Sequence, residues 1–135
     1  MKLITFLIMG LLLVISISMA ASDIGGKIVN VWWAEDEIHT SGSIKPTVTI
    51  TNTGNEATGF DIRLAIQDPE GRWYTGARWS ISRIEASQST TVWPFPVEMT
   101  TSMPRGRYNA EITLYGEHGS MLDSWTTSSA FTVSD

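Results

Sequence analysis

The stretch Phe60-Asp61-Ile62-Arg63-Leu64-Ala65-Ile66-Gln67 decides the fold class of this chain. Apolar residues stand at every second position, and Asp61, Arg63 and Gln67 stand between them. Successive side chains of a β-strand point to opposite faces of a sheet, so this period of two separates apolar from polar side chains. The stretch therefore predicts a strand with one buried face.

A second alternating stretch precedes this strand. Pro46-Thr47-Val48-Thr49-Ile50-Thr51 also changes between apolar and polar side chains at each step. Between the two stretches lies Asn52-Thr53-Gly54-Asn55, which contains residue types that tolerate a positive φ and occur in hairpin turns. The sequence therefore predicts that residues 46–51 and 60–67 are neighbouring antiparallel strands.

Further strands follow at short intervals. The candidates are rich in β-branched and aromatic residues and comprise residues 27–33, 72–74, 79–84, 89–93, 108–114, 120–122 and 130–133. Pro94 and Pro96 end one of these runs, and because proline cannot donate to a central ladder, we expect residues 79–84 and 89–93 at a sheet edge. Turn residues separate the runs, and no stretch has a helical pattern. The sequence thus predicts an all-β, Ig-like antiparallel β-sandwich of about seven strands.

The first 21 residues have the order of a signal peptide. Lys2 is followed by an apolar run from Leu3 to Ile17 and by small residues before a cleavage site near Ala21. An uncleaved anchor helix is the alternative, because an apolar run of about 17 to 25 residues can span a bilayer. In either case we expect residues 22–135 to form one extracytoplasmic domain, secreted or at the cell surface. We expect contact with the membrane only through residues 1–21, and only if they are not cleaved.

The composition of the 135-residue chain excludes several kinds of site. There is no cysteine, which excludes disulfides, thiolate metal sites and cysteine nucleophiles. Nine Lys and Arg stand against fourteen Asp and Glu, giving a formal charge of −5, so we expect no nucleic-acid partner. A domain of this size can bury enough apolar surface to fold without covalent or metal cross-links.

Two motifs resemble those of known Ig-like modules. Residues 48–60, a strand followed by Asn52-Thr53-Gly54-Asn55 and a second strand, resemble the core of CARDB domains, which are adhesion-related modules of bacterial and archaeal surface proteins. Residues 104–112 resemble the segment before the sixth strand of many Ig-like and fibronectin-like modules. The resemblance implies that Tyr108 is a corner tyrosine, with Ala110 where antibody domains carry a cysteine. It also implies a surface module that binds or adheres.

Six tryptophans supply the candidate binding residues. Trp32 and Trp33 are neighbours on a predicted strand, so at least one of the two must lie on an outer face. An exposed sheet face carrying several rings and cations would suit stacking on sugars or anchoring of a protein partner. The residues predicted for this face are Arg72, Trp73, Tyr74, Arg78, Trp79 and Trp93. The alternative is that these rings fill the core and cover the sheet edges.

Catalytic and metal-binding patterns are missing from the sequence. One short segment, Glu35-Asp36-Glu37 with His39, contains several carboxylates. The segment lacks the alternate ligand positions and the glycine of a calcium-binding loop. We therefore expect a solvated acidic loop and no metal or other cofactor. His118 lies in a glycine-flanked turn, and no nucleophile elbow or zinc-protease motif occurs. We therefore expect that the protein is not an enzyme.

These observations predict a non-catalytic, extracytoplasmic interaction module of the cell envelope that docks a protein partner. Two alternatives remain open: a carbohydrate-binding module that uses the same rings on a surface glycan, and a structural envelope subunit that associates with itself through an open sheet edge. The sequence does not fix the oligomeric state.

Overall fold

The computed structural model describes residues 24–94 and 96–135. Every regular element within these residues is a β-strand, so the predicted all-β fold is confirmed. No helix long and apolar enough to cross a membrane occurs in this part of the chain. The predicted signal peptide, residues 1–21, lies outside the described residues.

The smaller sheet has the strand order β1-β4-β8, and both pairings are antiparallel. Its strands are β1 (Gly26–Trp33), β4 (Pro46–Asn52) and β8 (Ser89–Val92). In β4, every second residue from Pro46 to Asn52 is buried, and the threonines between them lie on the outer face. β8 is an edge strand of this sheet, as Pro94 and Pro96 predicted.

The larger sheet has the order β2-β11-β10-β5-β6, and β7 pairs with β5 further along the edge that β6 occupies. Only β2 and β11 run parallel among these pairs. The strands are β2 (Glu37–His39), β5 (Thr58–Gln67), β6 (Trp73–Thr75), β7 (Trp79–Ile84), β10 (Gly106–Gly116) and β11 (Met121–Ser134). A separate two-stranded sheet consists of β3 (Ser43–Ile44) and β9 (Val97–Glu98).

The predicted pairing of residues 46–51 with residues 60–67 is wrong. β4 pairs with β1 and β8, whereas β5 pairs with β10, β6 and β7, so the two strands belong to different sheets. Each strand has one buried face, and packing two such faces against each other across the core satisfies both patterns as well as a shared sheet would. The segment after β4 therefore carries the chain from one sheet to the other and is not a hairpin turn.

The core lies between the buried faces of the two sheets. The largest side chains with almost no exposure are Ile28, Ile50, Phe60, Ile62, Leu64, Ile66, Tyr108, Ile112, Leu114 and Phe131. Trp33 is half-buried and its ring centroid lies 6.4 Å from that of Phe131, whereas Trp32 is 59% exposed. The prediction that one of the paired tryptophans lies outside is thus confirmed.

Tyr108 has the geometry of a tyrosine corner. Its ring is buried and stacks on Phe131 with 5.2 Å between the ring centroids. Its hydroxyl donates a hydrogen bond of 2.6 Å to the carbonyl oxygen of Pro104, four residues upstream. The corner tyrosine that the sequence motif implied is therefore present.

Candidate binding surface

The structure divides the six predicted site residues among three places. Trp73 pairs with Gln67 and Trp79 pairs with Ile62 on the same edge of β5. Gln67 and Ile62 are five residues apart along β5, which is about 17 Å at the rise of an antiparallel strand. Gln67 lies on the outer side and Ile62 in the core, so Trp73 and Trp79 face opposite sides of the sheet. No single flat face can hold both rings.

Arg72, Trp73 and Tyr74 belong to the turn around Asp68. The buried Asp68 carboxylate accepts hydrogen bonds of 2.9 Å from the backbone N–H groups of Glu70 and Arg72 and from the Tyr74 hydroxyl. Burial alone would raise the pKa of Asp68, but these hydrogen bonds favour the ionised form and lower the pKa below its ordinary value. Burial and the bond to Asp68 raise the pKa of Tyr74. This cluster holds a turn together, and Trp73 stands exposed beside it.

Arg78 lies on the outer face of the larger sheet and covers Tyr115. Its guanidinium carbon is 3.8 Å from the ring centroid of Tyr115, and Arg63 donates a 2.9 Å hydrogen bond to the hydroxyl of the same tyrosine. The two arginines leave Tyr115 only 8% exposed. Stacking on Arg78 thus occupies the ring that a ligand would otherwise contact.

Trp79 and Trp93 come together in an apolar groove. The groove has a volume of about 250 Å³ and is lined by these two rings with Lys45, Pro94 and Pro96. Trp79 is the first residue of β7 and Trp93 directly follows β8, so the groove lies where an edge of the larger sheet meets an edge of the smaller one. We call these five residues the edge groove.

Several properties of the edge groove suit a bound apolar side chain. Trp93 is 55% exposed, so a large part of its ring faces solvent. Prolines are rigid and lose little conformational entropy on binding. Lys45 forms no ion pair in the described part of the chain, where the ion pairs join Arg83 to Glu85 and Arg105 to Asp135. The groove therefore combines an apolar wall with one cation, Lys45.

A second aromatic arrangement lies on the outer face of the smaller sheet. Trp32 pairs with Thr47 on one side of β4, and on the other side Val92 pairs with Val48. Continuing this register by one residue past the end of β8 would bring Trp93 beside Thr47, opposite Trp32. Since neighbouring strands are about 4.8 Å apart, the backbones that carry the two tryptophans are about 10 Å apart. We call Trp32, Thr47 and Trp93 the outer platform.

Sequence reasoning proposed Trp79 and Trp93 as binding residues, and it did not include Trp32, Lys45, Pro94 or Pro96. The prolines were recognised only as the end of an edge strand. Alternation did place one of Trp32 and Trp33 outside, yet it could not say which strand would lie next to β1. Lys45 stands far from Trp79 and Trp93 in the chain, and no local pattern links the three residues.

Polar groups of the kinds used in catalysis do not converge on the edge groove. Its one ionisable side chain is Lys45. In the part of the chain that the structure describes, no three His, Asp or Glu side chains come close enough to hold a metal ion. Glu35, Asp36, Glu37 and His39 are all exposed. The arrangement can bind through apolar contact, stacking and one positive charge.

Comparison with solved structures finds the same fold in proteins of different activities. An alkylpurine DNA glycosylase from Pseudomonas fluorescens, bound to DNA with an abasic site analogue, is 16% identical with a TM-score of 0.54; the match covers 82% of this chain and 30% of that one. A β-glucosidase from Erythrobacter marinus is 13% identical with a TM-score of 0.61, and the match covers 82% of this chain and 16% of the enzyme. The chain thus spans less than a third of the length of these two enzymes.

A CARDB domain from Pyrococcus furiosus, solved in complex with di-metal ions, is 16% identical with a TM-score of 0.52. This match covers 84% of the chain and 89% of the CARDB structure, nearly the whole of both. No protein-family model matches the chain, and no curated protein matches it in sequence. At these identities the likeness shows the fold alone, which is CARDB-like.

Proposed function

We propose that this protein is a non-catalytic binding module of the cell envelope that docks a protein partner at the edge groove. The observation that carries the proposal is the apolar groove between Trp79 and Trp93. Partly exposed tryptophans beside rigid apolar walls are the residues around which the binding energy of protein interfaces concentrates. The extracytoplasmic location rests on the signal-peptide order of residues 1–21.

The size of the edge groove supports a side chain of a protein as its occupant. Its volume of about 250 Å³ is smaller than the roughly 300–1,000 Å³ of pockets that enclose small molecules. A groove of this size accommodates one or two apolar side chains of a partner. Lys45 at its rim favours a partner with a carboxylate next to the apolar residue.

A surface glycan is the second candidate ligand, because Trp32 pairs with Thr47 and the register of β8, continued by one residue, would bring Trp93 to the other side of Thr47. Two exposed tryptophans whose backbones are about 10 Å apart on one outer face could stack against successive sugar units of a polymer. The hydroxyl groups of β4 and β8 on the same face, such as Thr49 and Thr91, could bond sugar hydroxyls. This candidate uses Trp93 and Trp32 and does not require Trp79.

Three alanine variants separate the two candidates. The protein is produced from the full sequence, and its retention on the cell-envelope fraction of its source is measured before and after exhaustive proteolysis of that fraction. Docking of a protein predicts that Trp79→Ala and Trp93→Ala each lower affinity by about 30-fold, which corresponds to about 2 kcal/mol. Trp32→Ala should bind as the wild type does, and proteolysis should abolish retention.

Trp73→Ala is the matched control for Trp93→Ala, because both tryptophans are exposed and Trp73 lies away from the edge groove. Retention that survives proteolysis and depends on Trp32 and Trp93 would replace the protein partner with a glycan. If the variants at Trp32, Trp79 and Trp93 are all retained as the wild type is, both candidates are contradicted.

A further inference from the structure

The open edge of β8 lies directly beside the edge groove. β8 pairs with β4 and has no second neighbour in its sheet within the described residues. Trp93 follows its last residue, Val92, without a break. A chain that ran along the free side of β8 and continued past Val92 would therefore reach the groove.

The hydrogen-bond pattern shows which backbone groups of β8 point to the free side. The N–H of Asn52 donates to the carbonyl oxygen of Gln88 at 2.9 Å, and the carbonyl oxygen of Asn52 accepts from the N–H of Ser87 at 2.9 Å. Ser87 and Gln88 therefore form a bulge opposite Asn52, and the carbonyl of Gln88 faces β4. Hydrogen-bonded and non-hydrogen-bonded pairs alternate along an antiparallel ladder. Thr90 and Val92 consequently direct their backbone groups to β4, whereas Ser89 and Thr91 direct theirs away from it.

The side chains give an independent indication of the same pattern. The hydroxyl oxygens of Thr51 and Ser89 lie 2.6 Å apart, and those of Thr49 and Thr91 lie 3.4 Å apart. Side chains approach most closely in non-hydrogen-bonded pairs. The N–H and C=O groups of Ser89 and Thr91 therefore form a short row of backbone donors and acceptors along the open edge.

We infer that an extended segment of the partner adds to β8 as a further strand and places an apolar side chain in the edge groove, with an acidic residue beside Lys45. This inference rests on the proposed function and names how the partner binds. Backbone hydrogen bonds to Ser89 and Thr91 would give affinity, and the groove and Lys45 would give specificity. Pro94 and Pro96, which lack N–H donors, limit the added strand to the length of β8.

A second copy of this chain fits the edge less well than a different protein. If two β8 strands paired antiparallel about a two-fold axis, the Trp93 end of one would lie against the Gln88 end of the other. Each edge groove would then remain without an apolar occupant. Two copies would also bring together two chains of formal charge −5.

The test uses a synthetic octapeptide that alternates Thr and Val and ends in Leu-Asp. Binding is followed by the NMR signals and hydrogen exchange of the backbone amides of β8. Addition of a strand predicts that the amides of Ser89 and Thr91 become at least tenfold more protected, while those of Thr90 and Val92, already bonded to β4, change little. The matched control peptide carries N-methyl groups on the amides that face β8, and it should not bind. N-methylation of the opposite amides should leave binding intact.

A variant of the protein tests the same edge without a change in the peptide. Thr91→Pro removes one outward N–H and leaves the bonds of Thr90 and Val92 to β4, which is the arrangement in which edge strands tolerate proline. We expect Thr91→Pro to lower the affinity of the protein for the octapeptide and for the envelope partner at least tenfold. If the variant does not fold, the N-methylated peptides still decide the question on the wild-type protein.

Four results would overturn the inference. The first two are equal binding of the two N-methylated peptides and no binding of the alternating peptide at millimolar concentration. The third is unchanged protection of the amides of Ser89 and Thr91 when the peptide is added. The fourth is sedimentation as a dimer in which these two amides are protected before any peptide is added. Thr91→Pro could bind the envelope partner as tightly as the wild type does, while Trp93→Ala binds it weakly. This result would overturn strand addition and leave the proposed function standing. Wild-type binding by both variants would overturn both.

Discussion

The side chain of Asn52, at the end of β4, donates a 2.9 Å hydrogen bond to the carbonyl oxygen of Ile84, at the end of β7. This bond connects the smaller sheet to the edge of the larger one. The same amide also donates to the carbonyl oxygen of Glu56 at 2.8 Å, and its oxygen accepts from the N–H of Gly54 at 2.9 Å. A fully buried asparagine with three satisfied bonds thus holds the crossing between the sheets in place.

Replacing Asn52 with alanine should destabilise the fold strongly. Asn52→Ala leaves two carbonyl groups and one N–H without their partner, and each unsatisfied buried group costs about 1–3 kcal/mol. We expect the free energy of unfolding to fall by about 3 kcal/mol in urea denaturation. Asn30→Ala, at an exposed position, is the control and should change it by less than about 0.5 kcal/mol. Similar values for the two variants would show that the Asn52 bonds do not hold the crossing.

Asn52 also explains why part of the fold could be predicted from the sequence and part could not. The alternation in residues 60–67 reports the burial of one face, and that face is buried as expected. The same rule cannot choose between a neighbouring strand and a strand across the core, since both cover the face. Asn52, Gly54 and Asn55 are turn formers in either case, and only the pairing of β4 and β5 with different strands distinguishes a crossing from a hairpin.

The edge groove was beyond prediction for a related reason. It joins residues that precede β4, begin β7 and follow β8, and these meet only because β7 and β8 lie at edges of facing sheets. Pro94 and Pro96 predicted the edge position of β8 through their missing N–H groups. In β11, the run from Ser124 to Ser129 has no regular alternation, so the sequence indicated two short strands where pairing with β10 produces one long strand.

The tyrosine corner should make stability depend on alkaline pH. Burial, with the nearby charges of Tyr74 and Asp68, raises the pKa of Tyr108 to about 12. Because the pKa in the folded state exceeds the ordinary value of about 10, ionisation favours unfolding. The contribution of Tyr108 should be complete below about pH 10 and be lost as the pH rises toward 12.

Tyr108→Phe tests this dependence. The variant keeps the ring that stacks on Phe131 and loses only the bond to Pro104, so at neutral pH it should be about 1 kcal/mol less stable. Its stability should fall less steeply than that of the wild type above about pH 10. Urea denaturation at several pH values measures both effects. Parallel curves for the two proteins across the alkaline range would contradict the role of Tyr108.

The turn around Asp68 should make stability depend on acidic pH. The hydrogen bonds from Arg72, Tyr74 and Glu70 outweigh the effect of burial and lower the pKa of Asp68, so its ionised form is favoured in the folded state. The resulting stabilisation is present above about pH 4, the ordinary value for Asp, and is lost as the pH falls through the folded-state pKa. Asp68→Asn should therefore be less stable than the wild type at neutral pH, and the difference should shrink in acid. A constant difference from pH 7 to acid would exclude this origin.

The contact of Arg78 with Tyr115 should stabilise the fold more than an exposed ion pair does. The guanidinium stacks on a mostly buried ring, and such contacts at exposed sites contribute about 0.5–1 kcal/mol. Arg78→Met keeps much of the apolar part of the side chain and removes the charge, so we expect a loss in that range. Arg83→Met is the matched control, because Arg83 pairs with Glu85 where both side chains are 68% exposed and such a pair contributes little. Equal losses in the two variants would mean that stacking on Tyr115 adds nothing beyond a surface charge.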